Sequence, residues 1–246
     1  MTLKAVLLGY SGVVVNDENV HAEVINQLLL ADNLRPLNLA DQQGYRLLYM
    51  GHRDAERIRT LWGERGRVLP PKQLQTLLEQ KEQLYQQAMQ QRSRIPLIPH
   101  LVETLERLHR LDLDIILVSG NAAGEVQEVL RRCQLESFFR LQITGSDLPL
   151  DKIDSPGYLH RLALEHLSLT ARECLGIEAT YPGLAAGQAA AISMLGIATL
   201  FPLHMLQRRA NWVVDGLAQV EWDRLCRWFA TGEDRPPTLD PVLPSS

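Results

Sequence analysis

The sequence lacks a concentrated basic patch and is poor in cysteine. Its net charge of −4 and pI near 6.0 argue against a nucleic-acid partner or an anionic membrane surface, since both require clustered positive charge. The three cysteines, Cys133, Cys174 and Cys226, are odd in number and lie far apart. This spacing fits neither a metal site nor a disulfide framework and predicts buried thiols in a reducing compartment.

The sequence also lacks a long apolar segment. The longest apolar run, AAAISMLGIATLFPL at 189–203, is interrupted by Gly196 and Pro202 and falls about four residues short of a membrane span. The first residues, MTLKAVLL, contain no signal-peptide cleavage pattern. We therefore expect a cytoplasmic protein with no membrane span.

What the sequence does contain is a regular alternation of strand and helix patterns. Helical periodicity separates runs that are rich in β-branched and aliphatic residues. This alternation is typical of a Rossmann-like α/β fold with a doubly wound parallel sheet. The predicted strands lie at 4–10, 114–120, 140–145, 173–179, 196–202 and 211–216, and the predicted helices between them at 100–111, 123–135, 155–168 and 182–194.

One segment breaks the alternation. Residues 17–93 contain helical patterns and no convincing strand, which predicts a helical cap inserted after the first strand. Within it, the apolar stripe of 72–92 favours packing inside the cap over a partner-binding helix. We therefore assign residues 1–16 and 94–231 to an α/β core, 17–93 to the cap, and the proline-rich residues 232–246 to a mobile tail.

The residues that follow the strands are the candidates for function, because ligands bind outside the carboxyl ends of the strands in an open parallel sheet. In this sequence they form four groups, which are Gly9 to Ser11, Ser119 with Gly120 and Asn121, Lys152, and Glu178 with Ala179. In order and spacing these groups resemble the motifs of the haloacid dehalogenase (HAD) superfamily. The resemblance runs from residue 4 to about residue 229. It is to the branch of β-phosphoglucomutase-like and phosphoglycolate phosphatase-like proteins with a helical cap.

The resemblance implies a role for each matched position. In the family, an Asp at the position of Gly9 is the nucleophile that takes a phosphoryl group, and a second Asp at Ser11 is the general acid/base. Mg²⁺ is held there by the first motif and by acidic residues that match Glu178 and Ala179. The remaining matches are Ser119 to the second motif, Lys152 to the third, and Gly51 and Arg53, within YMGHRDAERI, to the cap's substrate-contact stretch.

The departures from the family pattern remove its chemistry. Gly9 has no side chain that can attack, Ser11 cannot shuttle a proton without a base, and Ala179 cannot bind a metal. Loss of the nucleophile alone removes most of the acceleration of a covalent mechanism. We therefore expect a noncatalytic, pseudophosphatase-like protein that needs no Mg²⁺, in which Glu178 is a vestigial ligand.

Two interpretations of the remaining crevice stay open. Lys152 and Glu178 pair as a salt bridge, which avoids an uncompensated buried charge, or the crevice still binds a phosphate-like anion without metal. The candidate anion-binding residues are Ser119, Gly120, Asn121, Lys152 and Arg53. The sequence favours a binding, regulatory or assembly factor with an unidentified protein partner. The alternative is a HAD-type phosphatase or phosphomutase that acts on a small phosphorylated metabolite by an atypical mechanism.

Overall fold

A six-stranded parallel sheet forms the centre of the computed structural model, which describes residues 2–38 and 48–232. The strand order is β3-β2-β1-β4-β5-β6, and every neighbouring pair is parallel. This arrangement confirms the predicted α/β, doubly wound class. The strands are β1 (Ala5–Leu8), β2 (Asp114–Val118), β3 (Leu141–Ile143), β4 (Cys174–Glu178), β5 (Ser193–Ile197) and β6 (Trp212–Val214).

Helices surround this sheet and form the cap. Among the described residues, no helix is both long and apolar enough to cross a membrane. The described α-helices are α1 (Glu18–Ala31), α2 (Asp54–Gly63), α3 (Pro71–Gln90), α4 (Leu101–Arg110), α5 (Ala123–Arg132), α6 (Tyr158–Leu167), α7 (Tyr181–Ala189), α8 (Leu203–Leu206) and α9 (Trp222–Thr231).

Strand β1 lies between β2 and β4, and all four of its residues are buried. A strand that is covered on both faces requires an uninterrupted apolar run, which AVLL supplies. The chain then turns at Gly12, whose φ of +81° favours glycine. The Thr199 hydroxyl donates to the Gly12 carbonyl oxygen at 2.5 Å. The turn after β1 is thereby held at the carboxyl edge of the sheet.

Strand β5 differs from the prediction, since it begins at Ser193 instead of residue 196 and ends at Ile197. Helix α7 ends earlier than predicted, at Ala189, and Ala191 adopts a left-handed φ of 60° that stops the helix. The Met194 side chain then fills space left by two glycines. A Cβ on Gly187 would lie 2.1 Å from the Met194 sulfur, and one on Gly176 would lie 2.5 Å from it.

The cap helices have a hydrophobic cluster of their own, in which Trp62 is fully buried and donates from its indole N–H to Asp32 Oδ2 at 2.6 Å. Helix α3 turns its apolar stripe inward, as its spacing predicts. The boundaries of the cap, 17–93, remain a prediction. Residues 39–47 of this cap and 233–246 of the proposed tail lie outside the described residues.

Candidate functional site

A crevice of about 400 Å³ separates the carboxyl ends of the strands from the cap. Of the matched positions and ligand candidates that the sequence singles out, seven line it, whereas Gly9, Ala179 and Lys152 do not. The structure therefore brings most of the matched motif positions together at one edge of the sheet. The seven predicted residues that line the crevice are Ser11, Gly51, Arg53, Ser119, Gly120, Asn121 and Glu178.

The Glu178 carboxyl group occupies the space beside Gly9. A Cβ on Gly9 would lie 2.5 Å from Glu178 Oε2, and a Cβ on Gly183 would lie 2.3 Å from the same oxygen. Real side chains essentially never approach this closely, so the two glycines form a cradle that the carboxyl group fills. No side chain fits at residue 9 unless Glu178 moves.

Burial dominates the electrostatics of Glu178. The residue is 7% exposed, and burial raises its pKa from 4.5 to about 8, although the Ala179 backbone N–H donates to the carboxyl group and offsets part of the rise. Desolvation disfavours the charged form of an acid, which explains the direction. Glu178 is therefore largely protonated at neutral pH.

Lys152 does not enter the crevice, which corrects two expectations from the sequence. Its Nζ lies 3.4 Å from Asp151 Oδ2, and its side chain is 51% exposed. It ends a short 3₁₀ turn, Leu150–Lys152, that directs the side chain outward. The predicted Lys152–Glu178 salt bridge is therefore wrong, and so is the placement of Lys152 among the residues that face a ligand.

Arg53 lies in the crevice as predicted, but its donors bind backbone. Its Nη1 donates to the Ser155 carbonyl oxygen at 3.3 Å, and its Nη2 donates to that of Ile153. Its Nε lies 3.5 Å from Glu56 Oε2. Its stem packs on Gly120, where a Cβ would lie 2.6 Å from Arg53 Cγ. Arg53 thus ties the cap to the loop that follows Lys152.

The polar residues at the end of β2 connect to the cap as well. Ser119 Oγ accepts the Asn121 backbone N–H at 3.0 Å. Asn121 Nδ2 lies 3.1 Å from His21 Nε2. Both residues are buried, at 5% and 6% exposed. Ser119, Gly120 and Asn121 therefore line the crevice as an ordered edge, and their role in anion binding remains a prediction.

Ser11 contacts a carboxylate that sequence reasoning did not connect with it. Its hydroxyl lies near Asp17 and helps to stabilise the ionised carboxylate. Burial raises the pKa of Asp17, but His21 and the hydrogen bonds from Tyr85 and Ser11 outweigh it and hold the pKa below 3.8. Asp17 therefore stays ionised, and a carboxylate with a lowered pKa is a weak base. The sequence feature that could have indicated this contact is Gly12. The turn at Gly12 brings Val15, two residues before Asp17, beside Ser11.

A buried ammonium group joins the cap to the core. Lys81 Nζ of α3 lies 2.7 Å from Asp54 Oδ2 of α2 and 2.6 Å from Glu125 Oε2 of α5. Each of these side chains is at most 4% exposed. Sequence reasoning missed Lys81, although it lies one turn from both Leu77 and Tyr85 and thus on the buried face of α3.

A second set of contacts continues this network toward the crevice. The Tyr85 hydroxyl donates to Asp17 Oδ2 at 2.6 Å, and His21 Nε2 lies 3.0 Å from the same oxygen. The rings of His21 and Tyr85 stack with centroids 4.7 Å apart. The network thus links helix α3 to Ser11 and Asn121 in the crevice wall.

With the fold and the crevice described, the family can be assigned. Residues 3–191 match the family model described as haloacid dehalogenase-like hydrolase. The chain belongs to this family. No curated protein matches the sequence.

Solved structures with the same fold share little sequence with this chain. A mutant of CbbY from Rhodobacter sphaeroides in complex with xylulose-(1,5)bisphosphate aligns with a TM-score of 0.74 at 18% identity, over 89% of this chain and 96% of that one. β-Phosphoglucomutase from Clostridium difficile aligns with a TM-score of 0.76 at 15% identity, over 93% and 97%. A "predicted phosphoglycolate phosphatase" from Haemophilus somnus 129PT aligns with a TM-score of 0.68 at 18% identity, over 88% and 95%.

The residues at the matched positions do not fit the magnesium ion that the family resemblance implies. Gly9 and Ala179 offer no side-chain oxygen, and the Glu178 carboxyl is enclosed between two glycines. Within residues 2–38 and 48–232, no group of three or more His, Cys, Asp or Glu side chains is placed to hold a metal. Mg²⁺ prefers several oxygen ligands in octahedral geometry, so this donor set does not suit it.

Replacing Lys81 with methionine should destabilise the fold strongly. Lys81→Met leaves the buried Asp54 carboxylate without its ammonium partner. Breaking one side of a buried ion pair costs about 3–5 kcal/mol of the free energy of unfolding. Urea unfolding followed by circular dichroism measures this loss. The control is Lys72→Met on the exposed face of the same helix; equal losses in the two variants would contradict the proposed link.

A double-mutant cycle tests the cradle around Glu178. Gly9→Ala should cost about 1–3 kcal/mol through overpacking, because its new Cβ meets the Glu178 carboxyl. In a Glu178→Ala background the same change should cost less than about 0.5 kcal/mol. Gly63→Ala, where a Cβ meets nothing within 4 Å, serves as the control. If Gly9→Ala costs as much in the Glu178→Ala background as in the wild type, the Glu178 carboxyl does not lie beside residue 9.

The wild type should lose stability as the pH rises, and Glu178→Gln should abolish this loss. The folded pKa of about 8 exceeds the ordinary 4.5, so the folded state keeps a proton that the unfolded chain releases between these values. The stability due to this proton is complete below pH 4.5 and is lost as the pH rises through about 8. Relative to the wild type, Glu178→Gln should gain up to about 1.4 kcal/mol per pH unit over this window.

The measurement is urea unfolding of both proteins at a series of pH values. Glu103→Gln, whose side chain is 71% exposed, controls for the loss of a carboxyl group. A difference between wild type and Glu178→Gln that is independent of pH would show that folding does not raise the pKa of Glu178.

Proposed function

We propose that this chain is a noncatalytic member of the haloacid dehalogenase-like hydrolase family, a pseudophosphatase whose crevice binds a ligand without turning it over. It acts in the cytoplasm as a binding, regulatory or assembly factor. The observation that carries this proposal is the Glu178 carboxyl, which fills the space that a nucleophilic side chain at residue 9 requires.

The chemistry of phosphoryl transfer supports the noncatalytic proposal. A covalent mechanism requires a nucleophile that is activated and aimed at the phosphorus atom. Gly9 has no side chain that could act as this nucleophile. Ala179 supplies no ligand for a metal that would neutralise the charge that develops on the phosphoryl group. Without both groups, the chain lacks the parts that would stabilise the transition state.

The crevice nevertheless has the chemistry of a binding site. Its volume of about 400 Å³ falls in the range of small-molecule pockets, about 300–1,000 Å³. The Ser119 hydroxyl, the Asn121 amide and Arg53 line it. The related CbbY structure, which contains a sugar bisphosphate, supports a phosphate-like ligand. A protein partner is part of the proposal as well, and its identity is open.

The second candidate function is a phosphatase or phosphomutase that acts on a small phosphorylated metabolite by an atypical mechanism. The family description and the names of the structural neighbours favour this candidate over a noncatalytic role. The contact between the Ser11 hydroxyl and Asp17 supplies its only supporting geometry among the described residues. The lowered pKa of Asp17 argues against it, since such a carboxylate accepts a proton poorly.

A phosphatase assay separates the two candidates. We expect no hydrolysis of p-nitrophenyl phosphate or of sugar phosphates above a protein-free control, with Mg²⁺ or with EDTA, because Gly9 offers no nucleophile. Titration with Mg²⁺ should also leave the melting temperature unchanged, since a ligand stabilises only the state that it binds.

Ser11→Ala is the matched variant for this assay. Turnover by the wild type that Ser11→Ala abolishes would establish the atypical enzyme. Turnover that EDTA abolishes, or a saturable rise of the melting temperature with Mg²⁺, would contradict the noncatalytic proposal and the assignment of the metal ligands.

A further inference from the structure

Arg209 lines the crevice although it belongs to none of the matched motifs. It lies between α8 and β6, and its guanidinium carbon lies 4.1 Å from the centroid of the Tyr181 ring. Tyr181 in turn stacks on Phe201 with centroids 4.4 Å apart. The guanidinium group therefore lies over an aromatic platform, a cation–π contact that does not use up its N–H donors.

The other crevice arginines are engaged with carboxylates. Arg57 Nη2 lies 3.6 Å from Glu18 Oε2, and Arg53 contacts Glu56 and two backbone carbonyls. In the part of the chain that the structure describes, no carboxylate forms an ion pair with Arg209, and its cationic contact is with Tyr181. An anion that enters the crevice would therefore meet Arg209 without displacing an acidic side chain.

The surroundings of Arg209 add favourable partial charge. Tyr181 is the first residue of the nine-residue helix α7, and Thr180 caps this helix by accepting the Gly183 N–H at 3.2 Å. The amino end of a helix carries a partial positive charge. Tyr181, Pro182 and Gly183 all line the crevice, so this end of α7 faces the same space as Arg209.

We propose that Arg209, stacked on Tyr181 at the start of α7, is the cation that binds an anion in this crevice, in the place that the sequence had given to Lys152. The ligand class is a small phosphorylated molecule, because a guanidinium edge beside a helix start matches the oxygens of a phosphate group. This inference rests on the proposed binding function and adds its principal contact.

Phosphate binding by matched variants tests the inference. Inorganic phosphate is titrated against chloride at equal ionic strength, and binding is measured by calorimetry and by the melting temperature. Wild type, Arg208→Gln and Lys152→Gln should bind phosphate alike. Arg209→Gln should lose about tenfold or more in affinity, the usual loss for one charged hydrogen bond. Arg208 is the neighbouring exposed arginine and does not line the crevice.

Each outcome has a separate meaning. Unchanged affinity in Arg209→Gln, loss of affinity in Lys152→Gln, or no binding of phosphate by the wild type would overturn the inference. No binding of phosphate by the wild type would also contradict the phosphate-like ligand of the proposed function, whereas the lack of catalysis is tested only by the phosphatase assay. Turnover in that assay would overturn the noncatalytic proposal, whereas an affinity loss confined to Arg209→Gln would still support the role of Arg209. Arg209 is exposed, so Arg209→Gln should fold, and its melting temperature without phosphate verifies this.

Discussion

One buried ammonium group holds the cap against the core beside the crevice. Lys81 of α3 contacts Asp54, the first residue of α2, and Glu125 of α5 in the core. Desolvating an ammonium and a carboxylate is expensive, and such a pair is maintained only where geometry and further hydrogen bonds offset the cost. The backbone N–H of Asp54 also donates to the Gly120 carbonyl oxygen at 3.4 Å. The start of α2, which carries Arg53 into the crevice, is thus held against the end of β2.

The remainder of the buried network fixes the turn after β1. The Tyr85 hydroxyl of α3 donates to Asp17 Oδ2, and Ser11 helps to stabilise the same carboxylate. The turn after β1 is thereby connected to the cap helix α3.

Much of the core could be predicted from sequence because its signals are local. The apolar runs of β1 and β4 are buried on both faces, and a strand of this kind can be identified from its own residues. The end of α7 could not be identified in this way, because residues 189–195 are mostly apolar and suit a helix and a strand equally. The left-handed Ala191 and the fit of Met194 against Gly187 decide the boundary, and both depend on packing.

The site residues also divide into those that local sequence signals identify and those that depend on packing. Motif spacing placed Ser119 and Glu178 at the crevice, because the order of the strands sets where their carboxyl ends lie, and the resemblance of the cap stretch placed Arg53 there. It failed for Lys152, since the direction of a side chain in a short turn depends on its neighbours. Motif spacing does not identify Lys81, because Lys81 belongs to no motif and lysine side chains are usually solvated. Arg209 matches no motif and becomes visible only when its ring contact with Tyr181 is seen.

The position of Glu178 couples residue 178 to residue 9. A glycine at residue 9 leaves space in a densely packed interior, and interiors tolerate few voids. The Glu178 carboxyl fills that space and is enclosed on its other side by Gly183. A side chain at residue 9 would therefore require the Glu178 carboxyl to shift, so the two positions constrain each other.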